Sequence, residues 1–168
     1  MVKIVKNCCS PYYLDMMILV AQNSDNWNFK YPQGRPFSEK HLKLDLIEND
    51  IKNPLLAGMA MGLLIQIFDK CDDVFLPECS FCGISIKDKH RKDNIHIDHD
   101  QDKDHIKILG LLNSDWNSED GGFFIHGDEE ILMEPTNFVI FDPRVPHACS
   151  EILTDKKRFG VDFTVRAK

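Results

Sequence analysis

The sequence predicts a mainly β fold, a double-sheet jelly roll or a barrel, with helices in its N-terminal part. Its 168 residues suit a single domain with a sizeable core. The spacing of the apolar residues changes from a period of 3.6 to a period of 2 near residue 80. Short alternating or apolar segments follow, bounded by Asp, Asn, Gly or Pro, which is typical of all-β domains. We therefore expect a helical support region over residues 1–78 and a jelly-roll core over residues 79–168.

The first helix is predicted to begin at Ser10-Pro11. Serine is a good helix cap, and proline is favoured at the first helical position. The apolar residues that follow recur at helical spacing, namely Tyr13, Met16, Met17, Val20 and Ala21. Residues 23–37 are rich in Asn, Gly and Pro and are predicted to form a loop.

Two further helices are predicted in the first half of the chain. Ser38 is expected to cap a helix that continues through Leu42, Leu46 and Ile47. Asn53-Pro54 repeats the pattern of a cap followed by proline. The helix after it carries an apolar stripe made of Leu55, Leu56, Met59, Leu63, Ile67 and Phe68. We expect this stripe to pack against one sheet, with Met59 and Met61 as core or near-core residues.

The second half contains eight predicted strands. They are residues 81–86, 94–98, 106–112, 122–126, 130–133, 137–141, 147–153 and 158–165. With this many short strands in a short stretch of chain, we expect two sheets, one of them covered on its outer face by the helices.

Charge and composition argue against several classes of protein. Twenty-seven acidic against twenty basic side chains leave a net charge of −7, which disfavours binding to bulk nucleic acid. No apolar run approaches the ~20 residues of a transmembrane helix. The N-terminal residues also lack the apolar region of a signal peptide. The six cysteines are irregularly spaced, as expected in a reducing compartment. We expect a soluble cytoplasmic protein.

A metal site is predicted at His96 and Asp98. In a strand these two side chains point to one side, while Ile95 and Ile97 point to the other. His147, at the start of a later strand, is the candidate for a third ligand. Two imidazoles and one carboxylate form the facial triad of non-haem Fe(II) oxygenases. That arrangement leaves coordination positions free for a bidentate 2-oxo acid and for dioxygen.

A second His-x-Asp pattern occurs at His126 and Asp128. A glycine separates the two residues, and they lie only 21 residues before His147 along the chain. We interpret them as the end of a strand followed by an acidic turn.

A structural zinc site is the other alternative. Cys79 and Cys82 have the spacing of half such a site, and His90 or His96 would have to contribute to it. The simpler interpretation is two reduced thiols near the start of a strand.

Arg158 is a candidate for binding a carboxylate. It begins a segment in which one face is apolar, with Phe159, Val161, Phe163 and Val165, and the other carries Arg158, Gly160, Asp162 and Thr164. The second face would line a polar cavity, where glycine leaves room for a ligand beside the guanidinium. Arginine presents a planar fork of donors that matches a carboxylate. The alternative is an exposed arginine at the end of a strand.

The order of these parts resembles the Fe(II)/2-oxoglutarate-dependent dioxygenases, in particular their prolyl-hydroxylase-like branch. The matching parts are the run HIDHD, the strand IKILGLLN ending at Asn113, Trp116, the turn at 119–123, Pro135, the strand FVIFD, His147 and Arg158. The resemblance implies a double-stranded β-helix, a cupin-like jelly roll. It implies that His96, Asp98 and His147 bind Fe(II), and that Arg158 binds the far carboxylate of 2-oxoglutarate.

The sequence departs from this family at two positions. Gly160 stands where many relatives carry a hydroxyl residue, and residues 81–95 lack the tyrosine that relatives often place before the His-x-Asp motif. Asn113, Asn94 or a water is expected to make the missing contacts with the co-substrate.

The resemblance implies a dioxygenase that uses Fe(II), 2-oxoglutarate and O2, with ascorbate as a candidate additional cofactor. It would hydroxylate a protein side chain or a small molecule and release succinate and CO2. The alternative is a cupin-like metal-binding module without oxygenase activity.

Overall fold

The computed structural model describes residues 2–30, 41–98 and 104–168. The strands in these ranges are β1 (Val2–Val5), β2 (Asn28–Lys30), β3 (His41–Glu48), β4 (Asp50–Ile51), β5 (Phe75–Lys87), β6 (His105–Leu111), β7 (Phe124–His126), β8 (Glu129–Ile131), β9 (Phe138–Phe141), β10 (His147–Cys149) and β11 (Arg158–Ala167). The helices are α1 (Pro11–Gln22) and α2 (Pro54–Phe68), and a turn of 3-10 helix spans Ser118–Asp120. No helix in the described ranges combines the length and the apolar character needed to cross a membrane.

The described strands form two antiparallel sheets. The larger sheet has the order β1-β9-β6-β11-β5-β3-β2, with β4 paired to β3, and the smaller has the order β10-β7-β8. Strands distant in sequence are neighbours, as the pairing of β11 with both β5 and β6 illustrates. The predicted jelly roll with N-terminal helices is confirmed. The division between a support region ending at residue 78 and a core beginning at residue 79 stays a prediction. In the structure, β1 and β3 of the first half join the larger sheet.

Both helices begin where their capping residues predict. The Ser10 hydroxyl accepts a hydrogen bond from the Tyr13 backbone N–H at 3.3 Å, and Pro11 follows it. The Asn53 side chain accepts from the Leu56 backbone N–H at 3.2 Å, and it precedes a proline as well. In the α2 stripe, Leu56, Leu63 and Ile67 are fully buried and Met59 and Phe68 are half-buried, whereas Leu55 in the first turn is 64% exposed.

The helix predicted from Ser38 is wrong where the structure describes it. Its apolar residues belong to β3, in which Leu44 and Leu46 are fully buried and alternate with polar residues. The spacing of Leu42, Leu46 and Ile47 suits a helix as well as a strand, and pairing with β5 decides between them. The predicted loop at 23–37 is also partly wrong, since β2 lies within it and pairs with β3. Ser38 itself and residues 31–37 lie outside the described residues.

Seven of the eight predicted strands overlap strands of the structure. The exception is residues 94–98, which make a single β-bridge between His96 and His147 instead of a strand. Ile95 is 69% exposed, so the apolar side of this segment does not enter the core. The side chains of this segment do alternate, since His96 and Asp98 line the cavity and Ile95 does not, but the segment is not a strand of either sheet.

Two apolar clusters lie on opposite faces of the larger sheet. The main cluster joins α1 and α2 to the sheet through residues such as Leu14, Met17, Leu56, Leu63, Ile108 and Phe163. The second cluster lies between the two sheets and includes Leu111, Trp116, Phe124, Val139 and Phe141. Beside it a cavity opens between the sheets, and the polar face of β11 lines it, as the alternation along that strand predicts.

Candidate metal centre

His96 and His147 are held side by side by their own backbones. The His96 N–H donates to the His147 carbonyl at 3.0 Å, and the His147 N–H donates to the His96 carbonyl at 2.8 Å. The Asp98 N–H donates to the Pro143 carbonyl at 2.9 Å. These bonds fasten the segment at residues 94–98 across the start of β10, so that all three side chains face one point.

The three side chains have the geometry of a metal site. The Asp98 carboxylate lies 3.7 Å from His96 Nε2 through Oδ1 and 3.8 Å from His147 Nε2 through Oδ2. One ligand atom from each residue lies within 4.8 Å of the others. The structure thus brings together the three residues that the sequence predicts as ligands.

Backbone carbonyls determine which imidazole nitrogen is available to a metal. His96 Nδ1 lies 2.9 Å from the Asn94 carbonyl oxygen, and His147 Nδ1 lies 2.9 Å from the Val145 carbonyl oxygen. A carbonyl only accepts, so each Nδ1 must carry the hydrogen and each Nε2 keeps its lone pair. Orientation of this kind is usual for metal-ligating histidines. The pair is therefore arranged to bind a cation through Nε2.

Electrostatics favours the protonation states that a metal needs. Burial opposes ionisation of Asp98, but Lys107, whose Nζ lies 2.8 Å from Oδ2, and the two imidazoles lower the pKa of this carboxyl. Burial lowers the pKa of His147 and keeps its imidazole neutral. An anionic carboxylate and a neutral imidazole are the forms that bind a divalent cation.

A cavity of about 220 Å³ leads from these ligands to Arg158. Ion pairs line its walls, with Lys43 Nζ 3.4 Å from Asp162 Oδ2, and with Lys87 paired to Asp93. Other lining residues include Ser85, Leu109, Phe124, Phe141 and Gly160. The cavity is polar on the floor formed by β11, β5 and β3, and aromatic on the side facing β7 and β9.

Arg158 is buried beside this cavity without a partner. Its side chain lines the cavity although the residue is only 8% exposed, and its Nε has no hydrogen-bond partner in the described part of the chain. Gly122 has a φ of +71°, and a Cβ added there would lie 3.2 Å from Arg158 Nε. Glycine therefore lets the loop pass close to the guanidinium. A buried guanidinium that lacks a partner calls for an anion.

Asn113 binds the backbone on both sides of Arg158. Its amide nitrogen donates to the Lys157 carbonyl at 2.9 Å, and its Oδ1 accepts from the Phe159 N–H at 2.7 Å. The side chain thus brackets the backbone on both sides of Arg158, and Asn113 is not among the residues that line the cavity. Its predicted contact with a co-substrate stays a prediction, as does that of Asn94, whose carbonyl holds His96.

Sequence reasoning missed the lysines of the site. Lys107 is a cationic residue within the apolar run of β6, and that isolation is a signal that could have identified it. Lys87 and Asp93 belong to a run of alternating charge that is typical of a solvated loop. Only the fold shows that both are largely buried.

The two alternative metal sites gain no support. His126 is buried opposite His147 in the pairing of β7 with β10, but Asp128 is exposed. Burial raises the pKa of the Cys79 thiol to about 11 and that of Cys82 well above its usual range, which disfavours the thiolates that a zinc site needs. Within the described residues, the one group of three ligands is the set at 96, 98 and 147.

Comparison with protein-family models and with curated protein sequences gives no match. Solved structures do match. A Pseudomonas putida prolyl-4-hydroxylase has a TM-score of 0.69 and 15% identity, covering 98% of this chain and 92% of its own. A Trichoplax adhaerens prolyl hydroxylase, in complex with a hypoxia inducible factor oxygen degradation domain peptide fragment, has a TM-score of 0.71 and 16% identity, covering 98% and 83%.

A third match is HygX from Streptomyces hygroscopicus with nickel and 2-oxoglutarate bound. Its TM-score is 0.70 at 11% identity, covering 98% of this chain and 82% of that one. These likenesses span nearly the whole chain and confirm that it has the fold of the 2-oxoglutarate oxygenases, including prolyl hydroxylases.

Proposed function

We propose that this protein is an Fe(II)- and 2-oxoglutarate-dependent dioxygenase that hydroxylates a protein side chain or a small molecule. The observation that carries the proposal is the pairing of two sites in one cavity. A triad of His96, Asp98 and His147 lies in its wall, and the buried guanidinium of Arg158, whose Nε has no partner among the described residues, lies in the same wall beyond it.

The donor set fits Fe(II). Two neutral imidazoles and one carboxylate suit a first-row transition metal and leave several positions open for other ligands. When bound, Fe(II) supplies the oxidising chemistry that couples decarboxylation of 2-oxoglutarate by O2 to hydroxylation of a C–H bond, with release of succinate and CO2. The protein side chains supply binding, orientation and charge balance. No protein nucleophile or general base is required.

The chemistry of a dicarboxylate fits the two ends of the cavity. One end offers a site for a divalent cation, which a 2-oxo acid can chelate through its carboxylate and keto oxygens. The other end offers Arg158, whose forked donors suit the second carboxylate. Lys87 and Arg91 already hold Asp93, whose pKa they lower against the effect of burial. Asp93 therefore has two cationic partners of its own, and no ion pair joins it to Arg158 in the described part of the chain.

Similar proteins are consistent with both substrate classes. HygX binds nickel and 2-oxoglutarate together, and another of its structures also holds hygromycin B. The Trichoplax enzyme is in complex with a peptide fragment. A protein side chain and a small molecule are therefore both retained as substrate classes here.

The test is an anaerobic titration of the Fe(II)-loaded protein with 2-oxoglutarate. We expect a metal-to-ligand charge-transfer band that saturates at one equivalent, followed by slow succinate release when O2 is admitted. A screen of peptides and small molecules, monitored by succinate release, then identifies the substrate. Iron binding without this band would favour the metal-binding module without oxygenase activity.

A further inference from the structure

The register between β11 and β5 places four residues on the floor of the cavity. Gly160 lies opposite Ser85, and Arg158 lies opposite Lys87. All four line the cavity, so these side chains share one face of the sheet. The Ser85 hydroxyl therefore projects from the neighbouring strand toward the space above Gly160.

That space is reached by two donors at once. A Cβ added to Gly160 would lie 3.4 Å from Ser85 Oγ and 3.6 Å from Arg158 Nη1. Because the glycine has no side chain, this point is open to a ligand. A carboxylate placed there lies within reach of both the guanidinium and the hydroxyl.

Neighbouring side chains leave the Ser85 hydroxyl available. Lys43, its cross-strand neighbour on β3, directs its ammonium to Asp162 and over the Phe81 ring. Lys87 is paired with Asp93. Within the described residues, neither the Ser85 hydroxyl nor the Arg158 guanidinium makes a hydrogen bond. The Ser85 hydroxyl and Arg158 Nη1 therefore flank one open position.

We propose that Ser85 is a co-substrate-binding residue, donating a hydrogen bond to the carboxylate that Arg158 pairs with. The inference rests on the proposed function, because it takes that carboxylate to be the far one of 2-oxoglutarate. In this proposal, a residue of β5 supplies the hydroxyl that β11 lacks, because Gly160 stands where many relatives carry a hydroxyl residue. The donor comes from the adjacent strand, and the bare glycine backbone makes room for the ligand between the two groups.

The first measurement is the 2-oxoglutarate titration described above, applied to Ser85→Ala. Loss of a hydrogen bond to a charged group should weaken binding by roughly ten- to a hundredfold. Affinity for Fe(II) should not change. The matched control is Ser80→Ala, since Ser80 lies on the same strand, donates to the Thr164 carbonyl and does not line the cavity. This control should bind 2-oxoglutarate like the wild type.

The second measurement keeps the hydroxyl, in Ser85→Thr. This variant should bind 2-oxoglutarate nearly as the wild type does. Gly160→Ala, in contrast, places a Cβ at the position proposed for the carboxylate and should weaken binding. The third measurement uses 2-oxovalerate, in which a methyl group replaces the far carboxylate. Ser85→Ala should bind this probe as the wild type does.

Three results would overturn the assignment. They are equal saturation of the wild type and Ser85→Ala, equal weakening for 2-oxoglutarate and 2-oxovalerate, and a loss of affinity in Ser85→Thr as large as that in Ser85→Ala. Failure of the wild type to bind 2-oxoglutarate at all would instead overturn the proposed function, so the two failures are distinguishable. Thermal unfolding of each variant verifies that the fold persists.

Discussion

The two ends of the cavity are built in different ways. At the metal end, the bonds that orient the imidazole rings are local, since Asn94 and Val145 hold imidazoles that are two residues away in the chain. At the Arg158 end, the support is remote, because Asn113 lies about 45 residues before Arg158 and is separated from it by β7 to β10. Local bonds thus orient the ligands at the metal end, and one β-bridge between His96 and His147 brings them together. The Arg158 end is organised by the register of the large sheet.

This difference has a consequence for mutations. Side chains at the metal end bind the ligand themselves, and main-chain hydrogen bonds hold them in place. At the Arg158 end, Asn113 holds the backbone on both sides of Arg158, so its substitution should affect both ligand binding and stability. Substitutions at the two ends should therefore have different patterns of effect.

The largest effect is expected for Asp98→Ala. It removes the anionic ligand of the triad and leaves two neutral imidazoles, so Fe(II) binding and turnover should be abolished. The fold should persist, because the apolar clusters do not include Asp98. The checks are metal content after dialysis and thermal unfolding, with Asp128→Ala as the control. Full iron occupancy and activity in Asp98→Ala would refute the assignment of the metal end.

Arg158→Ala should have the next largest effect. A carboxylate left without its charged partner costs about 2–5 kcal/mol, which is roughly a thirty- to several-thousandfold loss of affinity for 2-oxoglutarate. Iron binding should stay intact, because the ligands lie at the other end. Arg158→Lys should recover part of the loss, since it keeps the charge without the planar fork. The measurement is the anaerobic titration.

The control for this prediction is Arg166→Ala, on the same strand. Arg166 pairs with Glu78 at 3.4 Å, and its side chain is 55% exposed. It should bind 2-oxoglutarate like the wild type. Equal saturation of Arg158→Ala and wild type would mean that the Arg158 end does not bind the co-substrate.

Asp93→Asn tests the ion pairs at the Arg158 end. Removing the charge takes from Lys87 and Arg91 a carboxylate with which both pair, a cost of about 3 kcal/mol in the free energy of unfolding at neutral pH. The folded pKa of Asp93 is lowered from 3.8, so its stabilisation is present above pH 3.8 and declines as the pH falls toward the folded pKa. The melting temperatures of wild type and Asp93→Asn should therefore differ most near pH 7 and converge in strong acid. A difference that is constant with pH would contradict this assignment.

Asn113→Ala should have the smallest effect of the four. It removes the partners of the Phe159 N–H and the Lys157 carbonyl, which costs about 1–3 kcal/mol of stability. The affinity for 2-oxoglutarate should fall by less than in Arg158→Ala, because the guanidinium remains but is less well positioned. Thermal unfolding and the same titration measure both quantities. A loss of affinity equal to that of Arg158→Ala, without loss of stability, would make Asn113 a direct ligand instead.

Local features of the sequence predicted much of the fold and most of the metal end. Caps followed by proline located the starts of α1 and α2, and the alternation along β11 predicted which of its side chains face the cavity. The spacing of His96 and Asp98 identified two ligands even though their segment is not a strand. These features act between residues that are close in the chain, so the sequence displays them directly.

Tertiary structure decided the remainder. Whether residues 41–48 form a helix or a strand depended on pairing with β5, and the buried state of Lys87 and Asp93 depended on the loops that cover them. Asn113 reached the backbone around Arg158, and Ser85 came to lie opposite Gly160, only because three strands distant in sequence are adjacent in one sheet. A sequence shows the period of each strand, but the register between strands depends on the packing of the whole sheet. For this reason the metal ligands, which a short sequence motif marks, were predictable from the sequence, and most of the residues around Arg158 were not.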